Sequence, residues 1–260
     1  NMKKIALITG ATSGIGEACA LRFSKGGYDL ILTGRNQSKL DLLQSRLNAD
    51  GTDVKLLNFD VRDRKAATEA VNTLTGKWAD IDVLINNAGL ALGLEKEYEL
   101  DPEKWEMMID TNIKGMLTMI HLIVPHMVER NRGHVINMGS LAGEAAYPGG
   151  NVYCATKSAV KAISDGLRID LADTCIRVTN IKPGLVETNF SVTRFYGDKC
   201  KADNVYNGIH PLSGDDVADV VFYAASAPEH VQIAEVLVLA THQANSYVVS
   251  KDPNRKETLS

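Results

Sequence analysis

Cysteine is scarce and scattered: the 260 residues hold four, Cys19, Cys154, Cys175 and Cys200, and no two of them form a C-x-x-C pair. Neither a zinc site nor a disulfide framework is expected, so no metal is assigned, and a reducing cytoplasm fits. An excess of positive charge is also missing. Lys and Arg number 28 against 32 Asp and Glu, a formal net charge of −4. A protein that grips nucleic acid through phosphates needs a broad basic surface, so that class is set aside in favour of small-molecule chemistry. No apolar run approaches the length that crosses a bilayer, which excludes a transmembrane helix. Lys3 and Lys4 before "IALI" superficially suggest a signal peptide, but the apolar run is short and breaks at Thr9-Gly10, so no export signal is read. Internal repeats and low-complexity tracts are absent, and Asn1 ahead of Met2 reads as a cloning remnant.

What the chain does have is alternation. At 28.2 kDa and 45% hydrophobic it can bury a substantial core, and one domain is the default at this length. "KIALITG", "YDLILTG", "DVKLLNFDV", "IDVLINNAG", "HVINMGS", "IRVTNIKPG" and "EVLVLA" are short runs rich in Ile, Val and Leu with little alternation, as in strands covered on both faces. Helical segments are predicted between them, at about 14–26, 37–50, 63–76, 101–130, 151–173 and 213–227. Strand-helix alternation of this kind implies right-handed crossovers. The expected fold class is α/β, a single-domain, Rossmann-type doubly wound parallel sheet of about seven strands with helices on both faces. Asp101-Pro102 suits an N-cap with proline at the first helical position, and "SGDD" at 213–216 resembles a capping box. Residues 185–212 show no clear period, and loops of that length inside compact domains are usually functional or disordered.

"TGATSGIG", Thr9 to Gly16, sits where the first strand turns into the first helix. Gly10 permits the tight turn, Gly14 lets backbone approach a diphosphate, and Gly16 lets helix pack closely on strand. A strand-to-helix turn needs glycine in any case, so the motif alone leaves binding open. The second strand ends in Arg35-Asn36, where a site for NAD usually carries an acid for the ribose 2′-hydroxyl; a guanidinium suits a phosphate instead. Asp60 in "NFDV" is placed to bond an adenine amine, and Asn87 in "NNAG" ends the fourth strand, although "NNAG" is also a plausible turn. Tyr153 and Lys157 in "YCATK" stand four residues apart, one above the other on a helix. That pair alone is either a surface contact or a catalytic one.

The whole constellation resembles the short-chain dehydrogenase/reductase family: "TGATSGIG", "NNAG", Asn112 in "DTNIKG", Ser140 in "NMGS", Tyr153 and Lys157, and "KPG" before Thr188 occur in its order and spacing across essentially the whole chain. The resemblance implies that Asn112, Ser140, Tyr153 and Lys157 are catalytic. Tyr153 would exchange a proton with the substrate oxygen, which Ser140 would hydrogen-bond. Lys157 would hold the nicotinamide ribose and lower the phenol's pKa, by about two units at roughly 5 Å. Asn112 would hold a water linking Lys157 to solvent. Cofactor contacts are expected from Gly10, Thr12, Ser13, Gly14, Ile15, Gly16, Arg35, Asn36, Asp60, Val61, Asn87, Ala88, Gly89, Tyr153, Lys157, Pro183, Gly184, Val186 and Thr188, and the cofactor is NADP. A hydrolase is rejected, because "MGSLAG" lacks the flanking glycines of a nucleophile elbow.

Longer words, "NNAGLALG", "MIDTN", "MVERNRGHVIN", "GGNVY", "PGLVET" and "VTRFYGD", are similar to NADP-dependent 3-hydroxy acid dehydrogenases, also described as serine or L-allo-threonine dehydrogenases. Those tend to carry two arginines after the second strand, where this chain has Arg35 and Asn36; "LATHQANSYVVS" is also less typical. The expected division is a dinucleotide-binding core at 2–184, a substrate loop at 185–212, a final helix and strand at 213–247 and a polar tail, an arm or frayed end, at 248–260. Ser140, Tyr153 and Arg194 are the expected substrate residues, with Arg194 pairing a carboxylate or, alternatively, Asp198. A homotetramer is implied by the resemblance, and Ala155, Ala159, Ala162 and Gly166 on the Tyr153 helix would permit close helix contact. A broad carbonyl or 3-oxoacyl reductase and a non-catalytic NADP-binding sensor or scaffold are the alternatives.

Overall fold

The computed structural model describes residues 3–252; Asn1, Met2 and residues 253–260, and with them the cloning-remnant reading and most of the polar tail, lie outside the described residues. Seven parallel strands form one sheet in the order β3-β2-β1-β4-β5-β6-β7. They are β1 (Ile5–Ile8), β2 (Asp29–Gly34), β3 (Val54–Asn58), β4 (Val83–Asn86), β5 (Gly133–Met138), β6 (Ile176–Pro183) and β7 (Glu235–Val238). The expected doubly wound sheet is what the chain forms. Strand order reverses between β1 and β4, which opens a crevice at the carboxyl ends of the strands.

The sheet is covered by α1 (Gly14–Lys25), α2 (Gln37–Ala49), α3 (Arg64–Asn72), α4 (Pro102–Ile109), α5 (Met116–Glu129), α6 (Asn151–Asp170), α7 (Asn189–Arg194), α8 (Lys199–Asn204) and α9 (Gly214–Ser226). Alternation along β1 shows why both faces must be covered. Ala6 and Ile8 pack in one core with Leu40 and Leu43 of α2 and Val217 and Val221 of α9. Ile5 and Leu7 point the other way, into a core with Val71 of α3 and Met119, Ile123 and Met127 of α5. Each Val, Leu, Ile or Met side chain among these, removed from water, contributes roughly 1.5–3 kcal/mol before chain entropy is counted.

Helix starts follow their local chemistry. Asp101 accepts from the Glu103 amide at 3.0 Å with Pro102 at the first turn of α4, and Ser213 and Asp216 form the reciprocal capping box of α9. Two expectations need correction. The stretch 101–130 is not one uniform α-helix: a π-helical turn, Asp110–Gly115, separates α4 from α5. Residues 185–212 are not devoid of structure, since they carry α7 and α8. The described beginning of the tail does not project as an arm: Ala244 donates to Val248 O at 2.9 Å and Asp252 to Gly208 O at 2.7 Å.

Candidate active site

One cavity of about 580 Å³ runs along the carboxyl ends of the strands, from Arg35 and Asp60 at one end to Tyr153, Tyr147 and Arg194 at the other. Its floor is the turn between β1 and α1. Gly10 (φ 64°) and Gly14 (φ 55°) adopt the left-handed conformation that other residues resist. A Cβ at Gly16 would stand 2.2 Å from the Gly10 carbonyl oxygen, so this residue packs helix on strand and does not itself face the cavity. Asn87 braces the turn, its Nδ2 donating to Thr9 O at 3.0 Å and Gly10 O at 3.1 Å. The Ser13 side chain makes no capping bond, which leaves the first amides of α1 beside Thr12, Ser13, Gly14 and Ile15 in the cavity wall. Ala88, Gly89, Val61, Pro183, Gly184, Val186 and Thr188 complete this part of the wall.

At the end of β2, Arg35 lies on the wall and no acid follows it. Asn36 departs from expectation: its side chain caps α2 by accepting from the Lys39 amide at 3.0 Å, and it stays out of the wall. Asp60 is gripped by Arg62, whose Nη2 donates at 2.7 Å, and has Arg35 Nη1 3.7 Å away. Partial burial pushes its carboxyl up, but the Arg62 hydrogen bonds and the charge of Arg35 outweigh this and hold it below the usual range.

At the other end, α6 presents Tyr153 and Lys157 one turn apart, both buried. Lys157 Nζ donates to Met138 O at 2.8 Å and stands 5.8 Å from the Tyr153 ring centroid. Burial pulls the Lys157 ammonium down to about 8. The expected depression of the phenol by Lys157 does not hold in the protein alone. Burial drives the Tyr153 phenol well above its ordinary value, and the hydrogen bond with Ser140 and the charge of Arg194 only partly oppose it. Ser140 also accepts from the Ala142 amide at 3.1 Å, so it caps the 3₁₀ turn after β5 while facing the cavity. Asn112, in the π turn, lies behind the wall: Oδ1 accepts from Leu90 N at 2.8 Å, and Nδ2 donates to Leu90 O at 2.8 Å and Thr156 Oγ1 at 3.0 Å. These bonds use both amide protons and tie the loop after β4 to α6.

The outer wall is built by α7. Arg194 Nε donates to Gly93 O at 3.1 Å, while Gly93 N donates to Arg194 O at 3.0 Å. Arg194 Nη1 donates to the Tyr147 hydroxyl at 2.9 Å, and its buried Nη2 has no hydrogen-bond partner. The alternative pairing with Asp198 is not made, because that carboxylate caps α8 and pairs with Lys201 at 3.5 Å. Tyr147, Gly93 and Gln243 escaped the sequence reading. Gln243 is buried, lines the cavity and accepts from Leu185 N at 2.9 Å through Oε1. Among the described residues no group of His, Cys, Asp and Glu is arranged to hold a metal.

A Tyr-Lys pair on α6 over a glycine-turn cavity defines the short-chain class of dehydrogenases, and the chain belongs to that family: the family model described as short chain dehydrogenase matches residues 4–197. Among curated relatives, the NADP-dependent 3-hydroxy acid dehydrogenase YdfG of Salmonella typhi is 48% identical over 241 residues, 92% of this chain and 96% of that protein. The NADP-dependent 3-hydroxy acid dehydrogenase of Schizosaccharomyces pombe is 44% identical over 94% of this chain and 95% of its own length. A solved closed form of serine dehydrogenase complexed with NADP+ superposes with a TM-score of 0.90 at 43% identity, covering 95% of this chain and 99% of that one.

Proposed function

We propose that this protein is an NADP-dependent oxidoreductase that interconverts small 3-hydroxy acids and their carbonyl counterparts. Family membership and the NADP-dependent relatives support the cofactor, and the cavity suits it. Left-handed glycines and unfilled amides at the start of α1 accommodate a diphosphate, and Arg35, unopposed by an acid at the end of β2, suits a 2′-phosphate. NADP(H) held there supplies or takes the hydride.

The protein's own part is proton transfer and placement. Tyr153, which burial favours as the neutral phenol, donates its proton to the carbonyl oxygen during reduction and is left as phenolate; in the oxidation direction the phenolate form takes the proton from the alcohol. Ser140, which lines the cavity beside Tyr153, stabilises the charge that develops on the same oxygen. Lys157 presents its ammonium from the next turn, and Asn112 fixes the loop after β4 against α6.

The observation that carries the substrate class is Arg194. Its guanidinium carbon lies 5.6 Å from the Tyr153 ring centroid, Nη2 is buried without a partner, and no carboxylate among the described residues pairs with it. A guanidinium so placed is costly to leave unpaired and suits an anionic ligand. The short span to Tyr153 suits an acid whose reacting carbon is close to its carboxylate. NADPH absorbance during turnover of matched hydroxy acids and neutral alcohols tests this. Arg194→Ala is expected to raise KM for the acids by roughly ten- to a hundredfold and to leave the neutral substrates nearly unchanged. Equal losses on both would overturn the assignment.

A cytoplasmic homotetramer is part of the same proposal. The four cysteines are free, and no described helix is long and apolar enough to cross a membrane. Leu117 and Val128 of α5 and Ile169 of α6 are exposed large apolar side chains of the kind that a second copy would cover.

A further inference from the structure

Arg194 is not the only donor waiting at the acid end of the cavity. Tyr147, on the connection between the 3₁₀ turn Leu141–Gly143 and α6, also lines it. Its hydroxyl oxygen accepts from Arg194 Nη1 at 2.9 Å, and its own proton has no acceptor among the described residues. The Arg194 guanidinium carbon sits 5.6 Å from the ring centroids of both Tyr147 and Tyr153, so the cation lies between two phenols. Burial raises the Tyr147 phenol above its ordinary value, with Arg194 opposing, and the group remains a neutral donor at physiological pH.

We infer that the Tyr147 hydroxyl is the second half of the carboxylate seat, donating its proton to one substrate oxygen while Arg194 Nη2 donates to the same group. The inference rests on the acid-substrate reading above and deepens it. A carboxylate offers about four lone-pair sites, and a guanidinium edge beside a phenol meets it with two charge-assisted bonds. Accepting from Nη1 also turns the Tyr147 proton away from Arg194, so the two donors do not compete. An alcohol without the carboxylate would leave both donors unpaired in a buried corner, and discrimination between the two classes follows.

The test is Tyr147→Phe, which keeps the ring and deletes the hydroxyl, assayed with and without Arg194→Ala. The expected result is a KM for hydroxy acids raised roughly five- to twentyfold, with kcat and NADPH affinity within about twofold and neutral alcohols unaffected. In the Arg194→Ala background Tyr147→Phe still costs about threefold or more on acids. An unchanged acid KM overturns the inference, and so does a loss that vanishes once Arg194 is gone, because Tyr147 would then only orient the guanidinium. Failure of the acid reading itself looks different: wild type would not distinguish acids from matched neutral alcohols, and Arg194→Ala would affect both alike. Melting temperature and NADPH binding of each variant separate any folding defect from a binding one.

Discussion

Arg35 Nη1 stands 3.7 Å from Asp60 Oδ2, across the gap between the chain ends of β2 and β3, while Arg62 forks the same carboxylate. One acid therefore anchors two guanidiniums at the mouth of the cavity. The Arg35 side chain is 65% exposed, and an ion pair that open is worth well under about 1 kcal/mol, so Arg35 gives up Asp60 readily for a phosphate.

Coenzyme preference follows from that arrangement. Wild type is expected to favour NADPH over NADH by at least about tenfold in kcat/KM, and Arg35→Glu to reverse the order, since it removes a charged hydrogen bond worth about 1.5–3 kcal/mol and adds repulsion. Steady-state kinetics with both coenzymes decide it. Equal efficiency in wild type would refute the role of Arg35.

Proton transfer through Tyr153 makes a separable claim. Tyr153→Phe is expected to lower kcat by roughly a hundredfold or more while NADPH binding, followed by fluorescence, stays within about twofold. The phenol is lost, but the glycine turn and the Lys157 contact with Met138 O remain. Turnover near the wild-type rate would remove Tyr153 from the mechanism.

Burial of Lys157 predicts a stability effect of defined sign. Its folded pKa, about 8, lies below the ordinary 10.5. Below about 8 both states hold the proton and the fold carries the full desolvation cost. Between about 8 and 10.5 the unfolded chain binds more protons, so stability rises with pH through that window. In the absence of coenzyme, Lys157→Met is expected to stabilise the fold at pH 7 by about 1–3 kcal/mol, with an advantage that shrinks toward pH 10. Thermal melts across that range check it, and a variant less stable at pH 7 would show that the Met138 bond outweighs burial.

What was legible in the sequence is what local spacing specifies. The glycine turn, the Arg35 strand end and the Tyr153–Lys157 pair each lie within a few residues, and all of them reach the same cavity. Tyr147 was not legible because the partner that gives it meaning, Arg194, is 47 residues further along the chain. The helices in 185–212 were missed for a different reason: α7 and α8 have six residues each, too few turns to repeat an apolar face. Asn36 carried a readable cap signal, an asparagine just before a helical run, and the pull of the cofactor motif obscured it. The upward shift of Tyr153 depends on burial, which no spacing reveals.

The π turn at Asp110–Gly115 bears on how this chain tolerates change in length. A π turn holds one residue more than the α-helical ladder needs, so deleting a single residue there would restore a plain α-helix and leave α5 in register, whereas the same deletion inside α5 would rotate everything beyond it by about 100°. Deletion in the turn would pull Asn112 off Leu90 and Thr156 but keep Met119, Ile123 and Met127 on the core face of α5, and deletion after Gly115 would do the reverse. Residues 110–115 are therefore where a length-scanning library would find folded but inactive one-residue deletions, while deletions within 116–129 would be lost from the folded pool altogether.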